Sequence, residues 1–198
     1  DLVRRLNNAY ANGYRTDKSA GRTGIDWIIP IVSDLESGWG GINNVYAVAS
    51  AMIREGSSAI HIEDQDPSQR RCGHMGGKVV IPTDSFIKKI IAARLTADIL
   101  GVPTYIIART DALNAKYIAN YTDAFEEKDG RYIRGRAEDE LYPFGDPSGK
   151  VNNLEAAIAR GLAFAPFADS LWMETGEPDI GVAREFAQEI HRQFPGKH

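Results

Sequence analysis

Cysteine is nearly absent from this sequence, because Cys72 is the only one among 198 residues. A lone cysteine excludes an internal disulfide and is typical of a reducing compartment, so the thiol itself is a candidate functional group. The sequence also lacks any apolar run close to the ~20 residues that a membrane span requires. Its first residues contain no apolar segment of the kind found in a secretory signal peptide. We therefore expect no membrane partner.

Positive charge is not in excess either. The net charge is −4, and the basic clusters are short, such as Arg70-Arg71 and Lys88-Lys89. This composition predicts no general attraction to nucleic acid. Apolar residues make up 43% of the sequence, slightly under the usual globular range, and charged residues make up a typical 25%. The chain should fold around one sizeable core.

Strand and helix patterns alternate along the chain. Four apolar segments predict strands, at residues 27–34, 59–64, 104–110 and 170–174. Apolar residues at helical spacing predict helices at residues 45–55, 84–100, 154–165 and 179–194. Strands that alternate with helices favour parallel pairing through right-handed crossovers. The predicted fold class is therefore α/β.

Polar or aromatic residues stand two positions apart at the end of each predicted strand. The pairs are Asp34 and Glu36, His61 and Glu63, Arg109 and Asp111, and Trp172 and Glu174. A spacing of two puts both members of a pair on one face of an extended chain. Functional groups at the carboxyl ends of parallel strands favour a (β/α)8 TIM-type barrel, although a doubly wound sheet would bind its ligand there too. The first strand is followed by no glycine-rich phosphate loop, which makes a nucleotide-binding sheet the weaker alternative.

Four strands are about half of such a barrel. We therefore expect residues 1–198 to be a single catalytic-barrel segment, part of a longer enzyme. Residues 116–150 break the alternating pattern, because they are polar and rich in charge, glycine and tyrosine. This stretch is predicted to be an insertion over the active face.

Three of the strand-end acids form a candidate metal site. Mg²⁺ prefers one or two carboxylates, with water and substrate oxygens as its other ligands. Asp34, Glu36 and, from the next strand, Glu63 could supply a direct ligand and partners for metal-bound water. The alternative is that these acids only cap the helices that follow, but three acids on adjacent strand ends favour the metal.

The segment from Gln69 to Lys78 contains the lone cysteine between cationic residues and a histidine. Such neighbours stabilise a thiolate and should lower the pKa of Cys72. Glycines at positions 73, 76 and 77 allow close approach to a ligand and movement of the loop. A lone cysteine is more often a small buried apolar residue, but these polar and glycine-rich surroundings favour a catalytic role. His74 is either a structural hydrogen-bonding residue or, as we favour, a group that faces the substrate.

Arg109 follows an apolar strand, where an unpaired guanidinium would be costly to bury. It either clamps a substrate carboxylate, which we favour, or forms a structural ion pair. Trp172 is a weaker candidate, since a tryptophan in a barrel strand more often packs in the core.

Several segments, in order, resemble the isocitrate lyase family over nearly the whole chain. The segment that contains Cys72 resembles the family signature around the catalytic cysteine. The segments are Arg71-Cys72-Gly73-His74-Met75-Gly76-Gly77-Lys78, Ser33-Asp34-Leu35-Glu36-Ser37-Gly38-Trp39-Gly40-Gly41, Ile62-Glu63-Asp64-Gln65, Ala108-Arg109-Thr110-Asp111-Ala112, Ala165-Pro166-Phe167-Ala168-Asp169 and Trp172-Met173-Glu174-Thr175.

The resemblance implies a barrel of the phosphoenolpyruvate mutase/isocitrate lyase superfamily. It implies metal-dependent cleavage of isocitrate, a tricarboxylate, to glyoxylate and succinate in the glyoxylate shunt. It also implies a homotetramer with helix exchange, located in the cytoplasm, or in glyoxysomes or peroxisomes in a eukaryote.

The resemblance also implies roles for individual residues. Asp34 would bind Mg²⁺ (or Mn²⁺) directly, and Glu36 and Glu63 would hold metal-bound waters. Cys72 would be the acid that protonates the succinate carbanion. The remaining site residues would contact or line the substrate: Gly73, His74, Arg109 and Trp172. The roles of Asp64, Asp111 and Glu174 stay open.

The sequence departs from the family at a few places. Arg70 replaces a common lysine and Trp39 a usual phenylalanine, and the family's Ser-Gly-Trp, Asn-Cys-Ser-Pro-Ser-Phe-Asn-Trp and Thr-Leu-Ala-Gly segments have no counterpart. One alternative function is that of a 2-methylisocitrate lyase, whose substrate differs by one methyl group, worth only ~1–3 kcal/mol in discrimination. The other is a catalytically silent fragment or structural subunit that keeps the motifs.

Overall fold

The computed structural model describes residues 1–22, 24–119, 127–135, 141–145 and 153–198. Its helices are α1 Leu2–Ser19, α2 Ile42–Arg54, α3 Thr83–Leu100, α4 Glu127–Gly130, α5 Leu154–Phe164 and α6 Ile180–Gln193. Its strands are β1 Val32–Asp34, β2 Ala59–Glu63, β3 Lys78–Val80, β4 Tyr105–Thr110, β5 Ala115–Ala119, β6 Leu141–Pro143 and β7 Ser170–Met173. None of the helices in these residues is long and apolar enough to cross a membrane.

The four predicted strands form one parallel sheet in the order β1-β2-β4-β7. Neighbours along the chain are therefore neighbours in the sheet, as in half of a (β/α)8 barrel. The register places Asp34 opposite His61, Glu63 opposite Arg109, and Arg109 opposite Trp172. This register brings the predicted strand-end residues to the same edge of the sheet.

The main core lies between this sheet and helices α2, α3 and α5. It consists of fully buried aliphatic and aromatic side chains, among them Ile60, Ile62, Phe86, Ile90, Ile106 and Phe164. The rings of Phe86 and Phe164 meet edge to face, with centroids 4.8 Å apart, and so join α3 to α5. Every residue of β2 is buried, which is typical of a central strand in a parallel sheet.

A second, smaller sheet was not predicted. It has the order β3-β5-β6, with a parallel β3/β5 pair and an antiparallel β5/β6 pair. The predicted insertion at 116–150 contributes β6 and most of β5, while residues 120–126, 136–140 and 146–150 lie outside the described residues. Ile118, Tyr132 and Phe144 pack together with Ala157 of α5, so the described parts of this stretch share a second apolar core.

Two elements near the amino terminus differ from the prediction. The strand predicted at 27–34 is only three residues long, and Ile28 is 83% exposed. Pro30 has no N–H group to donate, and Ile31 accepts hydrogen bonds from Ser58 and Ala59 without extending the strand. Helix α1 was not predicted, although Leu2, Leu6, Tyr10 and Tyr14 recur every four residues along it.

The predicted helices are confirmed, with ends that shift by up to three residues. Helix α3 ends at Gly101, which has the left-handed φ of 64° that the predicted stop requires. Asp179 caps α6 by accepting hydrogen bonds from the backbone N–H groups of Gly181 and Val182.

Candidate active site

Arg109 is the centre of a buried charged network at the carboxyl ends of β2, β4 and β7. Its Nε and Nη2 atoms each donate a hydrogen bond of 3.0 Å to the carboxylate of Asp111. Its guanidinium nitrogens also lie 3.5 Å from Glu63 Oε2 and 3.5 Å from Glu174 Oε2. Arg109 therefore forms the structural ion pairs that were the alternative to a substrate clamp. Its role as a substrate clamp stays a prediction.

Arg70 lies among the three acids that were predicted to hold a metal. Its Nε donates to Glu63 Oε1 at 2.6 Å. Its other guanidinium nitrogens are 3.6 Å from Glu36 Oε1 and 3.9 Å from Asp34 Oδ2. The three carboxylates thus converge on one cationic group.

Asp34 and His61 form a polar contact that continues into an aromatic stack. His61 Nδ1 lies 3.1 Å from Asp34 Oδ1, and this hydrogen bond, with help from the Glu36 backbone N–H and Arg70, holds the pKa of Asp34 below its usual value. The imidazole ring packs on the indole of Trp172, with centroids 4.7 Å apart. The Arg109 guanidinium lies over that indole, 5.4 Å from its centroid. Trp172 is 44% exposed, so it lines the strand-end surface rather than the core.

Two acids beneath this surface are fully buried. Burial raises the pKa of Glu63, and the nearby Asp111 carboxylate raises it further. Burial likewise raises the pKa of Asp64, while Arg160 opposes the shift. Asp64 accepts hydrogen bonds from the Thr110 hydroxyl, the Asp111 backbone N–H and Arg160, all 2.8 to 2.9 Å long. Asp64 therefore holds the end of β4 in place beside Arg109.

The loop between β1 and α2 has an unusual backbone. Glu36 and Trp39 have φ angles of 52° and 57°, which non-glycine residues rarely adopt. Such strain is typical of functional sites. Helix α2 begins at the N-cap Gly41 without a side-chain hydrogen bond at that cap. The alternative in which the acids only cap the following helix is therefore wrong for α2.

The cysteine-bearing segment is an exposed loop between β2 and β3. Gln65 fixes its base, since its side chain donates to the Arg71 carbonyl and accepts from the Arg71 N–H, at 2.9 Å each. Cys72 is exposed. A Cβ atom at Gly73 would collide with the Glu174 carboxylate and lie 3.6 Å from Arg109 Nη2. The glycine thus allows the loop to approach the Arg109 network closely.

His74 faces a different cleft from the one at the Arg109 network. It lines this cleft with Met75 and with residues 175–179, which follow β7. The structure therefore brings Gly73 to the Arg109 network and leaves His74 at the rim of an adjoining cleft.

Carboxylate oxygens are the potential metal donors around Arg70. Among the described residues, no three His, Cys, Asp or Glu side chains lie close enough together to hold a metal as they stand. Asp34, Glu36 and Glu63 nonetheless surround one cation, that of Arg70. Glu63 Oε2 is buried and has no hydrogen-bond partner among these residues. Hard oxygen donors around a cationic centre fit Mg²⁺ or Mn²⁺, provided that the Arg70 guanidinium moves aside.

Several residues of the network were not predicted as site residues. They are Asp64, Gln65, Arg70, Lys78, Asp111, Arg160 and Glu174. Fully buried Lys78, for example, donates a 2.5 Å hydrogen bond to Asp111 Oδ1. The spacing of two residues at the strand ends had singled out Asp111 and Glu174. No such spacing pattern singles out Lys78 or Arg160 as members of the network.

The fold and this strand-end site define an α/β protein of the phosphoenolpyruvate mutase/isocitrate lyase superfamily. A solved 2,3-dimethylmalate lyase of that superfamily superimposes with a TM-score of 0.54 at 26% identity, covering 93% of this chain and 47% of that one. A phosphonopyruvate hydrolase, solved in complex with oxalate and Mg²⁺, shares the fold with a TM-score of 0.51 at 21% identity, covering 85% of this chain and 44% of that one.

The chain belongs to the isocitrate lyase family. The model of that family matches residues 4–152 and 150–198. The isocitrate lyase of Escherichia coli strain K12 is 45% identical over 201 residues, covering 99% of this chain and 44% of that protein. The chain thus spans less than half the length of the curated relatives it matches.

Proposed function

We propose that the protein to which this chain belongs cleaves isocitrate to glyoxylate and succinate, as the isocitrate lyase in Escherichia coli is named for doing. The observation that carries the proposal is the close approach of the cysteine loop, at Gly73, to the Arg109 network. This arrangement places a cation that can bind a carboxylate next to a loop whose thiol can donate a proton. Both are needed to break a carbon–carbon bond between carboxylate-bearing carbons.

The cleavage has simple requirements. The C2 hydroxyl loses its proton, the C2–C3 bond breaks, and C2 becomes the aldehyde carbon of glyoxylate. The electron pair of the broken bond stays on C3 of succinate, which then takes up a proton. The enzyme must therefore accept the proton of the C2 hydroxyl at a basic group, stabilise an oxyanion at C2 and a carbanion at C3, and deliver one proton to C3.

Each candidate residue meets one of these requirements. Arg109 binds a substrate carboxylate through its planar fork, exchanging part of its pairing with Asp111 for the substrate. Gly73 contacts the substrate from the loop, His74 does so once the loop moves it out of its adjoining cleft, and Trp172 lines the pocket. The exposed thiol of Cys72 gives its proton to C3.

Asp34, Glu36 and Glu63 would hold Mg²⁺ or Mn²⁺. The ion supplies Lewis-acid polarisation of the C2 oxygen. Asp34 suits this task because its pKa is lowered, so its carboxylate stays ionised at neutral pH.

Product analysis tests the proposal. Purified native polypeptide, incubated with Mg²⁺ and isocitrate, should release glyoxylate and succinate in equal amounts. Release of pyruvate from 2-methylisocitrate at a higher kcat/KM than glyoxylate from isocitrate would establish the 2-methylisocitrate lyase alternative instead. Absence of either product would favour the silent-subunit alternative.

The assembly and location of the whole protein are also proposals. We propose a homotetramer that acts on a small tricarboxylate in the cytoplasm, or in glyoxysomes or peroxisomes of a eukaryote. Light scattering of the native polypeptide, with the mass compared to that of one subunit, tests the tetramer. A mass of one or two subunits would contradict it.

A further inference from the structure

Lys89 of helix α3 is a buried lysine outside the network described above. Its side chain is 5% exposed, and its Nζ donates a 2.8 Å hydrogen bond to the backbone carbonyl of Ser37. The preceding residue, Lys88, points to solvent on the same helix. Burying an ammonium group costs free energy unless the group is paired or hydrogen-bonded, so the role of Lys89 should lie in its contacts.

The surroundings of Lys89 link two loops of the candidate site. Ser37 lies in the loop that carries Asp34 and Glu36. Asp66, whose charge favours the protonated form of Lys89, begins the loop that leads to Cys72. Burial nevertheless lowers the pKa of Lys89 to about 8. Lys89 is thus hydrogen-bonded to the loop that follows β1, and only its charge links it to Asp66.

The first loop contains strained backbone, whereas the second already has backbone anchors. The first contains left-handed backbone at Glu36, and strained conformations persist only when the surrounding structure holds them. The second is anchored at its base, where the Asp66 N–H donates to the Val79 carbonyl and its carbonyl accepts from the Gln69 N–H.

We propose that Lys89 is a positioning residue that holds the Asp34–Glu36 loop through its hydrogen bond to the Ser37 carbonyl, and thereby sets the affinity of the acids for a divalent cation. The proposal rests on the proposed function, since it assigns that cation to Asp34, Glu36 and Glu63. Lys89 itself touches neither metal nor substrate.

Amide hydrogen exchange of the native polypeptide is the first test, because it requires neither metal nor turnover. In Lys89→Met, amides of residues 35–41 should exchange at least tenfold faster, while those of β4 keep their rates. Lys88→Met is the matched control and should match the parent everywhere. Unchanged exchange at 35–41, or equal acceleration in β4, would overturn the proposal.

Titration with Mn²⁺ alone is the second test, followed by the electron paramagnetic resonance signal of the free ion. Lys89→Met should bind Mn²⁺ at least tenfold more weakly than the parent, and Lys89→Arg should recover part of the loss. Binding within twofold of the parent in Lys89→Met would also overturn the proposal.

The two proposals fail separately. If the parent binds Mn²⁺ and releases no glyoxylate, the proposed reaction is wrong and the Mn²⁺ titration still decides the role of Lys89. If the parent binds no Mn²⁺, the metal part of the Lys89 proposal is overturned, and the exchange measurement decides whether Lys89 positions the Asp34–Glu36 loop.

Discussion

At the residue scale, Asp34 differs from the other strand-end acids in its exposure. Its side chain is 53% exposed, whereas those of Glu63 and Asp111 are fully buried. A change at Asp34 should therefore affect ligand binding far more than folding. The opposite holds for Glu63, whose removal would leave Arg70 and Arg109 with one partner fewer.

We predict that Asp34→Asn weakens Mn²⁺ binding at least 100-fold and abolishes isocitrate cleavage, because a neutral amide replaces the ionised ligand. The free energy of unfolding should change by less than ~1 kcal/mol, as expected for an exposed position. Mn²⁺ titration and urea unfolding measure the two effects. Parental Mn²⁺ affinity in the variant would remove Asp34 from the metal site.

Cys72 offers a prediction about chemistry rather than binding. In the proposed reaction its thiol acts on the carbanion, which exists only after the bond has broken, so Cys72→Ser should lose most of kcat and still bind isocitrate. Steady-state kinetics and calorimetric titration with isocitrate separate the two. Near-normal turnover in Cys72→Ser would show that another group donates the proton.

Lys89 predicts a dependence of stability on alkaline pH. Its pKa is about 8 in the folded protein against 10.5 normally, so the unfolded chain binds more protons between these values. The penalty for burying its charge is full below pH 8 and falls as the pH rises to 10.5. Relative to Lys89→Met, the parent should therefore gain about 3 kcal/mol of unfolding free energy over this range.

Urea unfolding at pH 7, 8.5 and 10 measures the Lys89 effect. Lys88→Met serves as the reference, because that side chain is exposed on the same helix. A constant difference between parent and Lys89→Met at all three pH values would mean that the pKa of Lys89 is not lowered.

At the element scale, Arg160 joins helix α5 to two other parts of the fold. Its Nη1 donates to Asp64 beyond β2 at 2.9 Å, and its Nη2 donates to Asp129 of α4 at 2.8 Å. Asp129 in turn accepts hydrogen bonds from the backbone and side chain of Thr83 at the start of α3. All three ionic side chains are buried, so each depends on the others.

We predict that Arg160→Ala destabilises the protein by about 3–5 kcal/mol, since it leaves two carboxylates buried without their cation. Arg184→Ala on the exposed face of α6 is the control and should cost less than ~0.5 kcal/mol. Thermal and urea unfolding provide the measurement. A loss below ~1 kcal/mol for Arg160→Ala would mean that water or another cation compensates Asp64 and Asp129.

At the scale of the whole molecule, the parallel sheet has two open edges. Among the described residues, β1 pairs with β2 alone and β7 with β4 alone. Apolar side chains near the β1 edge are exposed, including Ile28, Ile29 and Val32. Unpaired edges beside exposed apolar surface favour association with other chains.

A polypeptide of these 198 residues by themselves should therefore self-associate and release no glyoxylate from isocitrate. Size-exclusion chromatography with a glyoxylate assay tests both statements. A monodisperse and active species would contradict this prediction, and it would imply that copies of this chain complete one another's site.

The sequence by itself determined the elements of the main sheet and the identity of its functional edge. Strand and helix periods are local, so Ala59–Glu63 and Tyr105–Thr110 were predicted to within one residue. Side chains alternate between the two faces of an extended chain. This alternation predicted that Glu63 shares a face with His61, and Asp111 with Arg109. The cysteine loop was recognisable because its cations, histidine and glycines are consecutive.

Only the tertiary structure decided which charges meet. Register between β2 and β4 sets Glu63 opposite Arg109, and the path of the cysteine loop brings Arg70 among three acids. Pairing in the sheet of β3, β5 and β6 joins residues 22 to 38 positions apart, and its short strands carry little pattern of their own. Lys89 and Arg160 look like ordinary helical cations until the packing buries them. Such contacts depend on distant segments meeting in space, which local periodicity does not encode.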